Sequence, residues 1–286
     1  MSEKGDPPGA NLAQSSHFTR RWWTIAAIVT TCMLALVPVA ALGNLIRQYD
    51  ATSSPPVTDV TNSDGTHRTV NWIDYPGDAA IDPAQVLAGP SAELASKNGK
   101  AMINAIKSAI TAEFAYRWTT AGPDRGTQDS SQNGYGGRSI LKVLNSPTSN
   151  SSGTPTVWAD KQRVIAIIAE VTAHYHFSAP ILDKNPRLES PKDIRLERGG
   201  LTPQTQVYVF GSVSGPTGQW LSFSFADLSK DGTGRLETEA RAAGWQTNTI
   251  SLQYGANALL PAKDRAKFIS ALKPYADIER PPAISR

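Results

Sequence analysis

VYVFGSVSGPTGQWLSFSFAD, residues 207–227, is the stretch that decides the fold. Residues 207–213 and 220–227 each alternate with a period of two and are rich in β-branched and aromatic side chains, which is strand patterning. Ser214-Gly-Pro-Thr-Gly between them has turn chemistry and predicts a hairpin. Another strand is predicted over 247–254. Residues 235–243 are ambiguous: Leu236, Thr238 and Ala240 would share a strand face, whereas Glu237 and Arg241 would pair on a helix. The strand reading is taken.

Upstream of the hairpin the period changes. Over 91–116, Leu94, Ala95, Met102, Ile103, Ile106, Ala109, Ile110 and Phe114 recur at intervals of three and four and predict a long amphipathic helix. Ser91 is its expected N-cap, with Glu93 in the first turn favouring the dipole. A second helix is predicted over 156–176, capped by Thr154 with Pro155 at N1 and striped by Trp158, Val164, Ile165, Ile168, Val171 and Tyr175. The tract between them, 119–155, is rich in Gly, Ser, Asn and Pro and reads as a long loop interrupted near 140–144. A last helix, 261–272, should begin with Pro261 at N1. Helices, then hairpin strands, then a helix gives an α+β class, with helices packed on one face of an antiparallel sheet.

Working outward to the N-terminus, residues 22–46 read WWTIAAIVTTCMLALVPVAALGNLI and carry no charge. About 20 apolar residues suffice to cross a bilayer core as a helix, so a single transmembrane helix is expected here, with the lipid bilayer as its partner. Trp22 and Trp23 sit where an aromatic belt belongs, and Pro38 would kink the span without forbidding it. Arg20 and Arg21 abut its entrance and outweigh Arg47, which Asp50 soon offsets. The positive-inside rule therefore places residues 1–21 in the cytoplasm and the remainder outside. A cleaved signal ending near Ala41-Leu42-Gly43, a twin-arginine signal at Arg20-Arg21 and a lipidated Cys32 are the competing readings. Each also puts the domain outside. The expected organisation is a disordered cytoplasmic tail at 1–21, a membrane helix at 22–46, a flexible extracytoplasmic linker at 47–81, an α+β ectodomain at 82–278 and a disordered tail at 279–286.

Charged residues make up 19% of the 286, and the formal net charge is +3. They form no Lys/Arg stripe, so no nucleic-acid partner is expected. The single cysteine, Cys32, excludes an internal disulfide framework. No metal or other cofactor is expected. His174 and His176 point apart on a helix and lack ligands to complete a zinc set. The run from Asp227 to Glu239 matches a calcium loop at its first, fifth and sixth positions but has Thr238 where the bidentate Glu belongs. Asp231-Gly232 is better read as a hairpin turn. Val213 stands where a nucleophile elbow needs serine. Asp183, Glu189, Asp193 and Glu197 alternate with Lys and Arg as a solvated face would. Asn133-Gly134-Tyr135-Gly136-Gly137 lacks the residues of a phosphate loop and reads as a tight surface turn. If it has a function, Asn133, Tyr135, Gly136 and Gly137 are the candidate ligand or partner loop, because loops on a rigid scaffold carry binding.

The ectodomain resembles the LppA-like lipoproteins of actinobacterial cell envelopes, a family without an established activity. The similarity rests on the helix ending in Phe114-Ala-Tyr-Arg-Trp118, on Asn133-Gly134-Tyr135-Gly136-Gly137, on the helix carrying Arg163 to Tyr175, and on the strands after Gln206. The chain departs from that family in lacking a lipobox cysteine at the end of its apolar run. The resemblance implies an envelope location and brings no catalytic residues. The expected function is therefore a non-enzymatic, membrane-anchored domain that binds an envelope protein or component. The alternatives are a scaffold subunit of a secretion or transfer assembly, and an envelope hydrolase.

Overall fold

The computed structural model describes residues 54–61, 64–129, 132–183 and 190–284. In chain order its elements are β1 (Val57–Thr61), β2 (His67–Asn71), α1 (Pro83–Ala88), α2 (Ala92–Phe114), β3 (Trp118–Ala121), β4 (Thr127–Asp129), β5 (Lys142–Asn145), β6 (Thr148–Ser151), α3 (Trp158–Ala173), β7 (Ile181–Leu182), α4 (Pro191–Arg198), β8 (Tyr208–Ser214), β9 (Gln219–Ala226), α5 (Arg235–Ala242), β10 (Thr249–Leu259) and α6 (Arg265–Leu272). The class is α+β, as expected. The apolar segment 22–46, with Trp22, Trp23, Pro38, Arg20 and Arg21, lies outside the described residues. Among those described, no helix is long and apolar enough to cross a membrane.

The main sheet runs β3-β6-β10-β9-β8-β7, with β5 pairing β10 further along and β4 pairing β5. Every ladder in it is antiparallel. The 207–227 hairpin forms as its alternation dictates, Val209 opposite Phe225 and Val213 opposite Leu221. These side chains share one face, where Met102, Ile106 and Ile110 of α2 and Val164 and Ile168 of α3 meet them in the principal core. Fully burying an Ile such as Ile106 contributes about 1.5–3 kcal/mol. Ser91 caps α2 by accepting from the Leu94 amide. The helix comes so close to the sheet that a Cβ on Gly99 would lie 2.0 Å from the Tyr254 ring. The Tyr254 hydroxyl donates to the Ala95 carbonyl at 3.1 Å, fixing that approach.

Several expectations are corrected. The tract 119–155 is not a loop: it holds β3 to β6 at its two ends and centre. β3, β4 and β6 are short and mostly polar, β5 adds only Val143 and the core residue Leu144, and all four owe their form to backbone pairing with β10 and with each other, which needs no apolar pattern. Residues 235–242 are helix α5 and not a strand. The Asp231 carboxylate accepts from the Glu237 amide and from Thr233, so the aspartate organises a helix start and not a hairpin turn. Arg235–Glu239 and Arg241–Glu237 pair one turn apart, and Leu236 and Ala240 turn inward. Helix α3 starts at Trp158 after Val157, which offers no side-chain cap, so Thr154 and Pro155 lie outside it. Residues Ala262–Asp264 form a 3-10 turn before α6, and Pro261 precedes that turn.

The linker expectation also changes. Within 47–81, strands β1 and β2 pair as an antiparallel hairpin from Val57↔Asn71 to Thr61↔His67. Trp72 and Tyr75 beyond it are buried. The folded domain therefore begins well before residue 82. It also passes residue 278, because Pro281 and Ile284 make hydrogen bonds to the 133–137 segment.

Candidate functional site

The Asn133–Gly137 turn, expected at the surface, is largely internal. Asn133 and Tyr135 are both 0% exposed. The Asn133 side-chain amide donates to the carbonyls of Trp72 at 3.2 Å, Ile73 at 2.9 Å and Tyr75 at 2.9 Å. Its carbonyl oxygen accepts from the amides of Tyr135 at 2.8 Å and Gly137 at 3.1 Å. One side chain thus satisfies the end of the β1–β2 hairpin and folds its own turn, which answers the demand that buried backbone groups be paired. Gly137 has to be glycine, because a Cβ there would sit 1.6 Å from the Ile73 oxygen. Gly136 is exposed.

Tyr135 carries the turn's second connection. Its ring packs against Trp72 and Tyr75 at centroid distances of 5.2 and 5.7 Å, and Tyr275 closes the cluster at 5.1 Å from both. Its hydroxyl donates to the Pro281 carbonyl at 2.9 Å. Burial pushes the Tyr135 phenol up to about 12, with the neighbouring Tyr75 adding to the shift. Burial likewise raises Tyr275 to about 12. Through Asn133 and Tyr135 the turn fixes both an N-terminal hairpin and a C-terminal segment.

Those two pieces are the walls of a groove. It has a volume of about 560 Å³ and lies between Thr58–Thr61 of β1 and residues 277–282. Among the described residues, β1 pairs only with β2. The Trp72 amide donates to the Pro56 carbonyl, which sets the phase of that ladder. Thr58 and Val60 therefore exchange hydrogen bonds with β2, and Val57, Asp59 and Thr61 turn their N–H and C=O groups to the free edge. The charged lining is Asp59, Asp277, Glu279 and Arg280. Arg280 also donates to the Ile81 carbonyl at 2.8 Å. Val57, at the strand's start, is 58% exposed.

Other sequence candidates fall elsewhere. His174 and His176 are exposed past the end of α3, and the His174 ring contacts the Glu170 carbonyl of its own helix. Asp183 pairs with Arg198 at 3.0 Å beside the Phe210 ring. Trp220 is only 3% exposed, and Trp118 donates its indole N–H to Thr111. Asp227, the first position of the suspected calcium loop, is enclosed with Lys161 at 2.7 Å. Its other oxygen accepts from Ser229. That pair joins α3 to the end of β9 inside the domain.

Sequence reasoning missed the hairpin and so missed the groove. The signal was present: Val57, Thr58, Val60, Thr69 and Val70 are β-branched and flank Asp64-Gly65, a favoured hairpin turn pair. Comparison of the chain with family models, curated proteins and solved structures finds no match.

Proposed function

We propose that this chain is a single-pass, membrane-anchored envelope protein whose extracytoplasmic domain recognises a protein partner without catalysing a reaction. The observation that carries the reading is the groove between β1 and residues 277–282, with a strand edge open on one side and both walls held from beneath by Asn133 and Tyr135. A surface held this firmly suits binding, because little ordering entropy remains to be lost on association. The membrane half of the proposal rests on the uncharged run 22–46 and on Arg20 and Arg21 before it. The resemblance to LppA-like lipoproteins points to the same compartment.

Photo-crosslinking in intact membranes tests the binding half. A photoreactive residue at Val57 or Glu279 should give a discrete adduct, and one at Glu237 on α5 should not. Equal adducts from all three positions, or none from the groove, would remove the groove from the account. The membrane half is tested by protease added to intact cells, which should digest a C-terminal tag and spare an N-terminal one.

The free edge of β1 and exposed Val57 favour a second reading, a scaffold subunit that assembles with copies of itself. Crosslinking would then give a ladder of multiples of one chain.

A further inference from the structure

Building on the reading of the groove as the recognition surface, we infer that its occupant is an extended, basic polypeptide segment that adds to β1 as a third strand. Two independent features lead there. The first is the backbone. Val57, Asp59 and Thr61 offer outward N–H and C=O groups on a strand that only β2 pairs among the described residues. An edge of this kind is a template for another strand, and strand addition is a recurrent mode of peptide capture. Opposite it, residues 278–282 follow the turn at Ala276 and Asp277 and lie outside any helix or strand. With β1 they line an open groove of about 560 Å³, and they bond to the domain elsewhere, through Arg280 to Ile81 and Pro281 to Tyr135.

The second feature is charge. Three carboxylates, Asp59, Asp277 and Glu279, line the groove against one guanidinium, Arg280, which is already engaged with the Ile81 carbonyl. Asp59 projects on the solvent face of the hairpin beside Thr69, whose hydroxyl donates to it at 2.7 Å. A guest residue opposite Asp59 would share that face, and opposite charges in directly facing positions favour pairing. Thr58 and Val60 turn the other way, toward the protein, where Thr58 accepts from the Trp72 indole. The guest should therefore alternate: Lys or Arg on the outer face, small apolar residues on the inner one. Five residues of β1 set its length at about 5–7 residues, given about 3.4 Å of rise for each.

The test uses the full chain in detergent micelles and a displayed library of random heptapeptides. Enriched peptides should carry Lys or Arg at alternate positions. Methylating the guest amides that face β1 should weaken binding at least tenfold, and methylating those that face away should leave it within twofold. Asp59→Lys with Glu279→Lys should lower affinity for the basic peptides at least tenfold, and both positions are exposed, so folding should survive. If peptides lose affinity in that variant but tolerate methylation everywhere, strand addition is wrong and the groove reading stands. If the variant binds them unchanged, the groove reading fails as well. An enriched set without basic residues, or no enrichment together with dimers crosslinked through Val57, would overturn the inference in favour of a second copy of the chain.

Discussion

The side-chain amide of Asn133 lies 2.9 Å from the carbonyl oxygen of Tyr75, across 58 residues of chain, with both residues buried. This contact joins the N-terminal hairpin to the body of the domain. Without the Asn133 side chain, the carbonyls of Ile73 and Tyr75 and the amides of Tyr135 and Gly137 would lose their partner at once, and the Trp72 carbonyl would keep only the Tyr75 amide.

Asn133→Ala should therefore be among the most damaging single changes outside the principal core. Orphaned buried backbone groups cost about 1–3 kcal/mol each, and relaxation around a small side chain recovers part of that, leaving a loss of about 3–4 kcal/mol. For a domain of this size that is a fall in Tm of roughly 6–16 °C by differential scanning calorimetry. Asn133→Asp should be no milder, because a carboxylate cannot donate to three carbonyls. An unchanged melting curve would count against the whole arrangement.

Gly136 and Gly137 are neighbours with different reasons to be glycine. At Gly137 a Cβ collides with a backbone oxygen at 1.6 Å, so Gly137→Ala must displace the Asn133 amide from its acceptors. At Gly136 the nearest atom is Pro55 Cγ at 3.8 Å, and the objection is only the positive φ of 90°. Gly136→Ala should cost about 1–2 kcal/mol, and Gly137→Ala clearly more, when both are compared by urea unfolding.

The enclosed pair of Lys161 and Asp227, 1% and 0% exposed, should behave as a unit. Removing either partner alone leaves a buried charge and should cost about 3–5 kcal/mol, whereas replacing both with apolar residues of similar size should cost less than either single change. Lys161→Met, Asp227→Leu and the double variant, compared in a thermodynamic cycle, check this. Additive losses would mean that the two groups act independently.

Alkaline pH should loosen the pole that carries the groove. Tyr135 in the folded state holds its proton up to about 12, against an ordinary value near 10. Below pH 10 both folded and unfolded chains keep the proton, and the stabilisation is fully present. Between 10 and 12 the unfolded chain binds fewer protons than the folded one, so stability falls as pH rises. Tyr275, raised to about 12, adds to the same fall. Urea midpoints taken from pH 8 to 12 should drop above 10, and Tyr135→Phe should flatten part of that drop while losing its bond to Pro281.

Much of the fold is legible in the sequence because its decisive elements are long and periodic. The Ile106 and Ile110 stripe and the alternation in 207–227 each repeat often enough to fix an element by burial alone. The misread parts are those where burial is not the organiser. β3 to β6 are strands because β10 and their neighbours accept their backbones, although side chains such as Thr119, Ser149 and Asn150 show no apolar rhythm. α5 is a helix because Asp231 and two ion pairs one turn apart support it, against a weak strand alternation. The Asn133 turn shows the same limit at the candidate site. Its glycines and polar residues are those of a surface loop, and only the 58- to 61-residue reach back to Trp72, Ile73 and Tyr75 reveals that they hold a hairpin in place.

Hydrogen–deuterium exchange on the full chain in detergent micelles tests the central claim most directly, namely that residues 57–72 are a hairpin locked to the body of the domain. The amides of Thr58, Val60, Val70 and Trp72 should be protected together with those of Tyr135 and Gly137, and in Asn133→Ala all of them should lose protection together. Exchange at the rate of an unstructured chain through 57–72 in the unaltered protein would contradict the account and restore a flexible tether there.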